Sequence, residues 1–393
     1  MKTVCKINQC SGCMACVDVC PRKAVVVKDE LMYYNAVIQE DKCINCNACH
    51  AVCQNNHSTE YAMPTKWFQG WAKDIELRKR CSSGGYATAI SEGFIRTGGK
   101  VCACTFQSGR FVFKVVSEIE EVRQFSGSKY VKSNPSGCYN EVKKLLKKGE
   151  RVLFIGLPCQ VSAMKSFVGK TFNDKLYSID LICHGAPSPK VLNLFLEQHR
   201  CSLEQIDNIQ FRNKVHFESR VENYDEIQKG VKDNYSIAFL DSLIYTENCY
   251  HCQYARIDRV SDLTLGDSWG TMLPEKERNK GISLALCQNH KGQELLEMAD
   301  IILKEVDLNN AVTSNAPLNK PPTEPKGRKN FFVNLKSVNF NRKVFLGLPK
   351  QCIRQKIKLI LMKIGLLRND HGINYSIAVL KEGNSNEDNT HLA

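Results

Sequence analysis

The sequence predicts two units: a small α+β module at the N-terminus, and behind it an α/β body on a mixed, mostly parallel sheet. Three observations carry this reading. Eight of the twenty cysteines fall into two runs of identical spacing within the first 53 residues. From about residue 67, segments of helical periodicity alternate with short apolar runs bounded by glycine, the pattern of strands and crossover helices. The chain has 393 residues, 43% of them hydrophobic, enough for two or three domains with cores of their own.

The cysteine runs come first in the chain. Cys10, Cys13, Cys16 and Cys20, followed by Pro21, read C-x2-C-x2-C-x3-C-P, the bacterial ferredoxin spacing for a [4Fe–4S] cluster. Cys43, Cys46, Cys49 and Cys53 repeat the gaps, each 33 residues after its counterpart. Three thiolates on one tight loop wrap three irons of a cube, while the fourth, at the start of the following helix, points to the other cluster. The spacing therefore assigns one cluster to Cys10, Cys13, Cys16 and Cys53, and a second to Cys43, Cys46, Cys49 and Cys20. Zinc fits less well, because zinc sites pair two C-x2-C knuckles with four ligands each. Gln54 departs from the pattern, standing where a proline often follows the last cysteine. Residues 1–60 thus read as a ferredoxin-like domain with two [4Fe–4S] clusters, a carrier of single electrons.

The opening residues "MKTVCKINQC" contain no apolar stretch of signal-peptide length, and no window approaches an uninterrupted membrane span. A cytoplasmic location is expected, where clustered cysteines are ligands rather than disulfides. The net charge of +13 is uneven. Residues 320–368 carry thirteen Lys or Arg against one Glu, whereas the first 60 residues balance six against six. The basicity belongs to the tail.

In the body, "RCSSGGYATAISEGFIRTGGKVCACTFQ" reads as loop, helix, glycine turn and strand, with Ala87, Ile90, Phe94 and Ile95 at helical spacing. "RFVFKVV" is a strand. "GCYNEVKKLLKKGERVLFIGLPCQVSAMKSF" reads helix, turn, strand, tight turn, helix, and "LYSIDLICHG" is another buried strand closed by a glycine. If these strands run parallel, Cys159 after "VLFIG" and Cys183 after "YSIDLI" emerge at one edge of the sheet, where ligands gather in open α/β folds. With Cys249 and Cys252 of "ENCYHCQYA" they supply four ligands for a third iron–sulfur cluster. Two core thiols beside a zinc knuckle or an idle pair would give the same letters.

Taken in order, "SSGG", "SGSKYVKSN", "VLFIGLPCQV", "IDLICHGAPSP", "CYHCQYA" and "DLTLGDSWG" resemble the family of coenzyme F420 hydrogenase/dehydrogenase beta subunits. The likeness runs from roughly residue 70 to 310, and the whole chain resembles members that fuse this body to a ferredoxin module. On that basis 67–150 and 151–310 are the N- and C-terminal parts of the family's domain. The resemblance implies a flavoprotein with FAD that exchanges electrons with iron–sulfur clusters. Some members use coenzyme F420 and others reduce different substrates, among them enzymes of surface-polysaccharide pathways.

The binding residues are read beside that resemblance. Ser82, Ser83, Gly84 and Gly85 precede a helix, and small residues there let backbone N–H groups approach a phosphate. A plain serine N-cap with two glycines has the same sequence. Ser128, Lys129 and Tyr130 of "SGSKY" offer a hydroxyl, a cation and a ring. Lys129 would steady the negative charge of a reduced flavin, or is a solvated turn lysine. His184 is a candidate proton relay or a satisfied structural histidine. Asp267 and Trp269 of "GDSWG" shape a pocket or a turn. Lys129 and His184 are the candidate catalytic residues. Cys81, Cys102, Cys104, Cys138, Cys201, Cys287 and Cys352 lack ligand spacing.

Beyond residue 311, "APLNKPPTEPKGRKN" reads as a linker. "QCIRQKIKLILMKIGLL" then mixes basic and apolar residues at helical spacing, as a helix packed on the body, lying on an anionic membrane or docking a partner. The last dozen residues read as disordered. Nucleic acid is not expected, since no binding module accompanies the charge. The function expected is an iron–sulfur flavoprotein oxidoreductase served by ferredoxin or another redox protein. The alternative is an electron-transfer subunit of a larger hydrogenase or dehydrogenase with no substrate of its own.

Overall fold

The computed structural model describes residues 2–221 and 232–367. The last dozen residues, expected to be disordered, lie outside them. In the N-terminal module, β1 (Val25–Asp29) and β2 (Tyr34–Ile38) form an antiparallel hairpin. It is flanked by two one-turn helices, Ala15–Asp18 and Ala48–Ala51. The 33-residue repeat of the sequence is also a repeat of backbone. Positive φ occurs at Gly12 and Asn45 (75° and 55°) and at Met14 and Asn47 (62° and 59°), equivalent positions in the two runs. These left-handed residues turn the loops back on themselves and aim N–H groups at sulfur. Gly12 donates to Cys10 Sγ at 3.4 Å and Asn45 to Cys43 Sγ at 3.4 Å.

The body is built on an eight-stranded sheet. In chain order its strands are β3 (Lys66–Ala72), β4 (Lys100–Gln107), β5 (Arg110–Val116), β6 (Val152–Gly156) and β7 (Leu176–Leu181). A separate hairpin follows, β8 (Ile209–Asn213) and β9 (His216–Val221), and then β10 (Leu263–Asp267), β11 (Ser283–Cys287) and β12 (Ile301–Lys304) return to the sheet. The spatial order is β12-β3-β11-β10-β7-β6-β4-β5. The centre, β10-β7-β6-β4, is parallel, and β6 is buried at every position, as expected of strands covered on both faces. The four outer junctions are antiparallel. The expectation of a mostly parallel sheet is therefore corrected: β3, β11 and β12 extend the parallel core on one side as an antiparallel block. None of the three was read as a strand from the sequence, and the direction in which each joins the sheet is a tertiary choice.

The proline-rich stretch after residue 311 is linker-like only over 319–327, which is exposed or half-buried, and the residues on either side pack on the body. Ala311, Leu318, Phe331, Leu335, Phe340 and Val344 are buried. Arg328, 1% exposed, ties three parts of the chain together. Its guanidinium pairs with Glu247 at 2.8 Å and Glu324 at 3.1 Å, and donates to the carbonyls of Tyr245 and of Met32 in the module at 3.0 and 3.1 Å. The helix Pro349–Lys363 that follows is different, because of its residues only Cys352 and Gln355 are buried. Ile353, Ile357, Ile360 and Ile364, spaced three or four apart, leave an apolar stripe exposed.

Removing one partner of a buried ion pair strands the other in low dielectric, at a cost of about 3–5 kcal/mol. Glu247 and Glu324 keep access to water, so Arg328→Met is expected to cost less, about 1–3 kcal/mol through the unpaired carbonyls of Tyr245 and Met32, read as a lowered denaturation midpoint. Lys329→Met, in an exposed neighbour, is the control and should leave the midpoint unchanged.

Candidate functional site: three thiol sets and an adjoining cavity

The eight N-terminal cysteines line two separate hollows. Cys20, Cys43, Cys46 and Cys49 surround one of about 420 Å³, its open mouth included. Cys46 is exposed and the other three are half-buried. Cys10, Cys13, Cys16 and Cys53, all buried, surround another of about 290 Å³. The spacing does not single out Cys5, yet the fold brings it into this second hollow, held where Val4 N–H bonds Ala36 O of β2 at 2.9 Å. Its only signal is the C-x4-C interval to Cys10. Among the described residues, no group of three His, Cys, Asp or Glu side chains would hold a single metal ion. The thiols enclose volumes, which fits clusters.

The module is bound to the body by hydrogen bonds from the neighbourhood of these thiols. Tyr139 donates to Cys13 O at 2.6 Å, Lys132 Nζ to Ser11 O at 2.7 Å, and Gly137 N–H to both Asp18 carboxylate oxygens at 2.8 Å. Gln54, in place of the usual proline, donates to Ser11 Oγ at 3.1 Å and accepts from Tyr254 OH, two residues past Cys252.

Cys159, Cys183, Cys249 and Cys252 gather beneath this seam. The parallel pairing of β6 and β7 delivers Cys159 and Cys183 to one sheet edge. Arg259 holds the Cys252 segment against it. Its guanidinium, 3% exposed, pairs with Asp180 of β7 at 3.1 Å and donates to Tyr254 O at 2.8 Å. The four thiols act on one another electrostatically. Burial, the larger effect, pushes Cys183 up to about 12 and Cys252 up to about 11.

Cys183 also lines a broad cavity of about 1780 Å³, its mouth included, at the C-terminal edge of β6, β7 and β10. Ser82, Ser83, Gly85, Ser128, Lys129, Tyr130, His184 and Asp267 all line it. Gly84 does not. A Cβ there would stand 2.4 Å from Gly70 O, so this glycine serves close packing on β3. The helix Tyr86–Arg96 opens toward the cavity from Gly85 (φ 92°), with no side-chain cap on its N–H groups, and such a terminus attracts an anion. Neither serine is its cap: Ser82 Oγ accepts from Ser128 N–H at 2.9 Å and Ser83 donates to Ile282 O at 3.0 Å. Lys129 Nζ bonds the carbonyls of Phe125 and Ser126 at 2.7 and 3.1 Å, and burial lowers its pKa. His184 is open to the solvent of the cavity, while the surrounding protein lowers its pKa and favours the neutral ring.

Arg212 and Lys214, on the β8–β9 hairpin, belong to no motif. Arg212 makes a two-pronged pair with Asp267 and lies 4.9 Å and 5.0 Å from the rings of Phe217 and Trp269. Tyr130 stacks on Phe239 at 4.4 Å beside it. Lys214 Nζ bonds the carbonyls of Arg78, Cys81 and Ser83, fixing the loop that precedes the small residues. An adjoining polar hollow is lined by Lys79, Arg80 and Arg123 and shares Ser82, Lys129 and Arg212 with the cavity. This site offers aromatic walls, an anion-attracting helix end and several cations.

Residues 67–137 match the model for the N-terminal part of the coenzyme F420 hydrogenase/dehydrogenase beta subunit, and residues 149–310 match the model for its C terminus. The chain belongs to the family of coenzyme F420 hydrogenase/dehydrogenase beta subunits. Residues 9–57 match a 4Fe-4S dicluster domain, so this member carries its iron–sulfur module at the N-terminus. A curated relative, a subunit of the F(420)H(2) dehydrogenase of Methanosarcina mazei, is 23% identical over 295 residues, 68% of this chain and 79% of the relative. A chain of the F420-reducing [NiFe] hydrogenase complex from Methanosarcina barkeri is 18% identical, with a TM-score of 0.47, over 68% of this chain and 99% of that one. Among the described residues no helix is long and apolar enough to cross a membrane.

Arg259→Met leaves the Asp180 carboxylate, fully buried, without its cation, at a cost of about 3–5 kcal/mol. Faster amide exchange in residues 252–262 and in β7, with the β1–β2 hairpin unaffected, is the expected result.

Proposed function

We propose that this chain is an iron–sulfur flavoprotein oxidoreductase holding FAD in the cavity beside Cys183, with three [4Fe–4S] clusters on its three thiol sets. The observation that carries the reading is their order in space. The set around Cys46 stands at the surface, the set around Cys13 is buried at the seam, and the set around Cys159 and Cys183 reaches the cavity wall. That order suits delivery of single electrons by ferredoxin or another redox protein at the exposed end. A bound flavin supplies the exchange between one-electron carriers and two-electron hydride chemistry. The protein's own residues do the rest. The N-terminus of Tyr86–Arg96 and the Ser82–Gly85 turn would hold a phosphate, and Tyr130, Phe217 and Trp269 would flank a ring. Neutral His184 would take or give a proton at the cavity mouth. The substrate side is reduced coenzyme F420 as hydride donor, or another substrate that accepts the hydride.

Anaerobically purified protein is expected to contain FAD and about twelve irons per chain, falling to about eight in Cys183→Ser/Cys252→Ser. A wild-type count near eight removes the third cluster, and absence of flavin removes the oxidoreductase reading. Size exclusion separates the alternative: reductase activity in a flavin-loaded species of this chain alone is expected, whereas activity confined to a larger complex makes it a subunit.

We infer also that the helix Pro349–Lys363 rests on an anionic membrane surface. Its Ile353–Ile357–Ile360–Ile364 stripe is exposed, and no acidic residue interrupts the basic run from Lys326 to Lys363. Aliphatic residues with Lys and Arg alongside fit a headgroup interface. The full chain is expected to sediment with phosphatidylglycerol vesicles, less with phosphatidylcholine, and Ile357→Glu/Ile360→Glu to abolish this. Equal sedimentation of the variant overturns the assignment, as does wild-type protein that ignores both vesicles and instead pairs with a protein partner.

A further inference from the structure

Buried cations in this fold are compensated in two ways, with one exception. Arg78, Arg212, Arg259 and Arg328 each meet a carboxylate. Lys214 and Lys343 spread their charge over three and two backbone carbonyls. Lys132 does neither. It is 6% exposed, yet its ammonium has one close acceptor, Ser11 O at 2.7 Å, and one distant one, Asn248 Oδ1 at 3.4 Å. The ring of Tyr34 lies 5.3 Å away. Among the described residues no carboxylate lies within ion-pair distance of it.

Both acceptors sit beside cluster thiols: Ser11 follows Cys10 of the seam set, and Asn248 precedes Cys249 of the third. The same charge acts on Cys13 of the seam set and on Cys159, Cys183 and Cys252 of the third, opposing in part the burial that raises all four thiols. Among the described residues Lys132 makes no hydrogen bond to the loop that carries Cys43, Cys46 and Cys49. One cation thus bonds beside the ligands of two thiol sets and not beside those of the other.

We propose that Lys132 is the shared counter-ion of the seam and third clusters, a fixed positive charge that raises the reduction potential of both. The inference rests on the cluster reading above. A cube held by four thiolates is anionic in either redox state, and reduction makes it more so. An ammonium in low dielectric therefore favours the reduced form of each neighbour, and charge and burial are among the factors that set such potentials. Because both sets face the same ammonium, their potentials move together. Lys132 is a positioning residue for charge and touches no substrate.

A merely structural lysine would also tie the body to Ser11, so the test must separate the bond from the charge. Lys132→Gln keeps a donor for Ser11 O and loses the charge; Lys132→Arg keeps both. In a redox titration followed by electron paramagnetic resonance, iron-replete Lys132→Gln is expected to lower the seam and third potentials together. The expected size is at least a tenfold change in the reduced-to-oxidised ratio at a fixed potential, about 59 mV for a one-electron couple. The surface cluster should not move, and Lys132→Arg should restore wild-type values. Loss of iron in Lys132→Gln that Lys132→Arg restores also supports the proposal, because the clusters then need the charge to stay bound. Unchanged potentials in iron-replete Lys132→Gln overturn it, as does iron loss that Lys132→Arg fails to restore. A wild-type count near eight irons is a different result, which removes the third cluster and with it the shared role.

Discussion

The seam between the cysteine-rich module and the sheet is the constraint on which the rest of the structure depends. It is hydrogen bonded atom by atom, and its bonds end on the loops that carry the thiols. Tyr139 reaches Cys13 O, Lys132 reaches Ser11 O, and the backbone at Gly137 takes the Asp18 carboxylate. On the far side Arg328 grips Met32 O while pairing with Glu247, two residues before Cys249. A module that rocked on the body would vary the separation between its thiols and those of the sheet. Contacts to backbone atoms beside the ligands fix that separation better than side-chain pairs at the rim of an interface.

Burying so much charge is costly, and the fold offsets the cost locally. A carboxylate or guanidinium moved into low dielectric loses several kcal/mol of hydration unless a partner and further hydrogen bonds replace it. Arg259 meets Asp180 and three carbonyls; Arg212 meets Asp267 and two aromatic faces. These pairs lie where the chain must hold loops rather than strands. Asp267 ends β10 and Asp180 nearly ends β7, so these two carboxylates, half-buried and fully buried, anchor the segments that leave the parallel sheet. The same edge holds the Cys183 turn and the cavity, and the ion pairs serve as rigid supports for both.

Much of this was legible from sequence, and the limits are physical. Cluster spacing is local, so the repeat 10/43, 13/46, 16/49, 20/53 could be read directly, and the backbone repeats its positive φ at the same offset. Helix and strand from Tyr86 to Leu181 were readable because each carries its own period. The direction in which β3, β11 and β12 join the sheet is not encoded locally, and the parallel fraction was overestimated for that reason. The segment after residue 311 misled through composition. Its prolines and charges suggest a linker, yet Pro317 is buried beside Leu318, and Arg328 is charged because it has two glutamates to meet. Cys5 and Arg212 stand outside the quoted motifs, and Lys132 lies inside "SGSKYVKSN" with nothing to mark its partners, since the neighbours of all three come from distant parts of the chain. Gly84 was read as a phosphate contact when its missing Cβ makes room for Gly70 O.

The parallel core explains why thiols and cavity are adjacent. In open α/β sheets the C-terminal ends of parallel strands form the crevice where ligands bind. Here β6, β7 and β10 end side by side, and each contributes the next residues of its chain: Gly156 and Leu157, then Ile182, Cys183 and His184, then Asp267 and Trp269. The antiparallel block cannot substitute for this, because alternate strands would send their turns to the opposite edge. It lends the core width instead, with β11 and β3 covering the far side, and Ser283 of β11 closing the cavity beside the Ser82–Gly85 turn. A fully parallel sheet is thus unnecessary for the site. Three parallel ends are needed, and once they are aligned, Cys159 and Cys183 meet without any local signal that joins them.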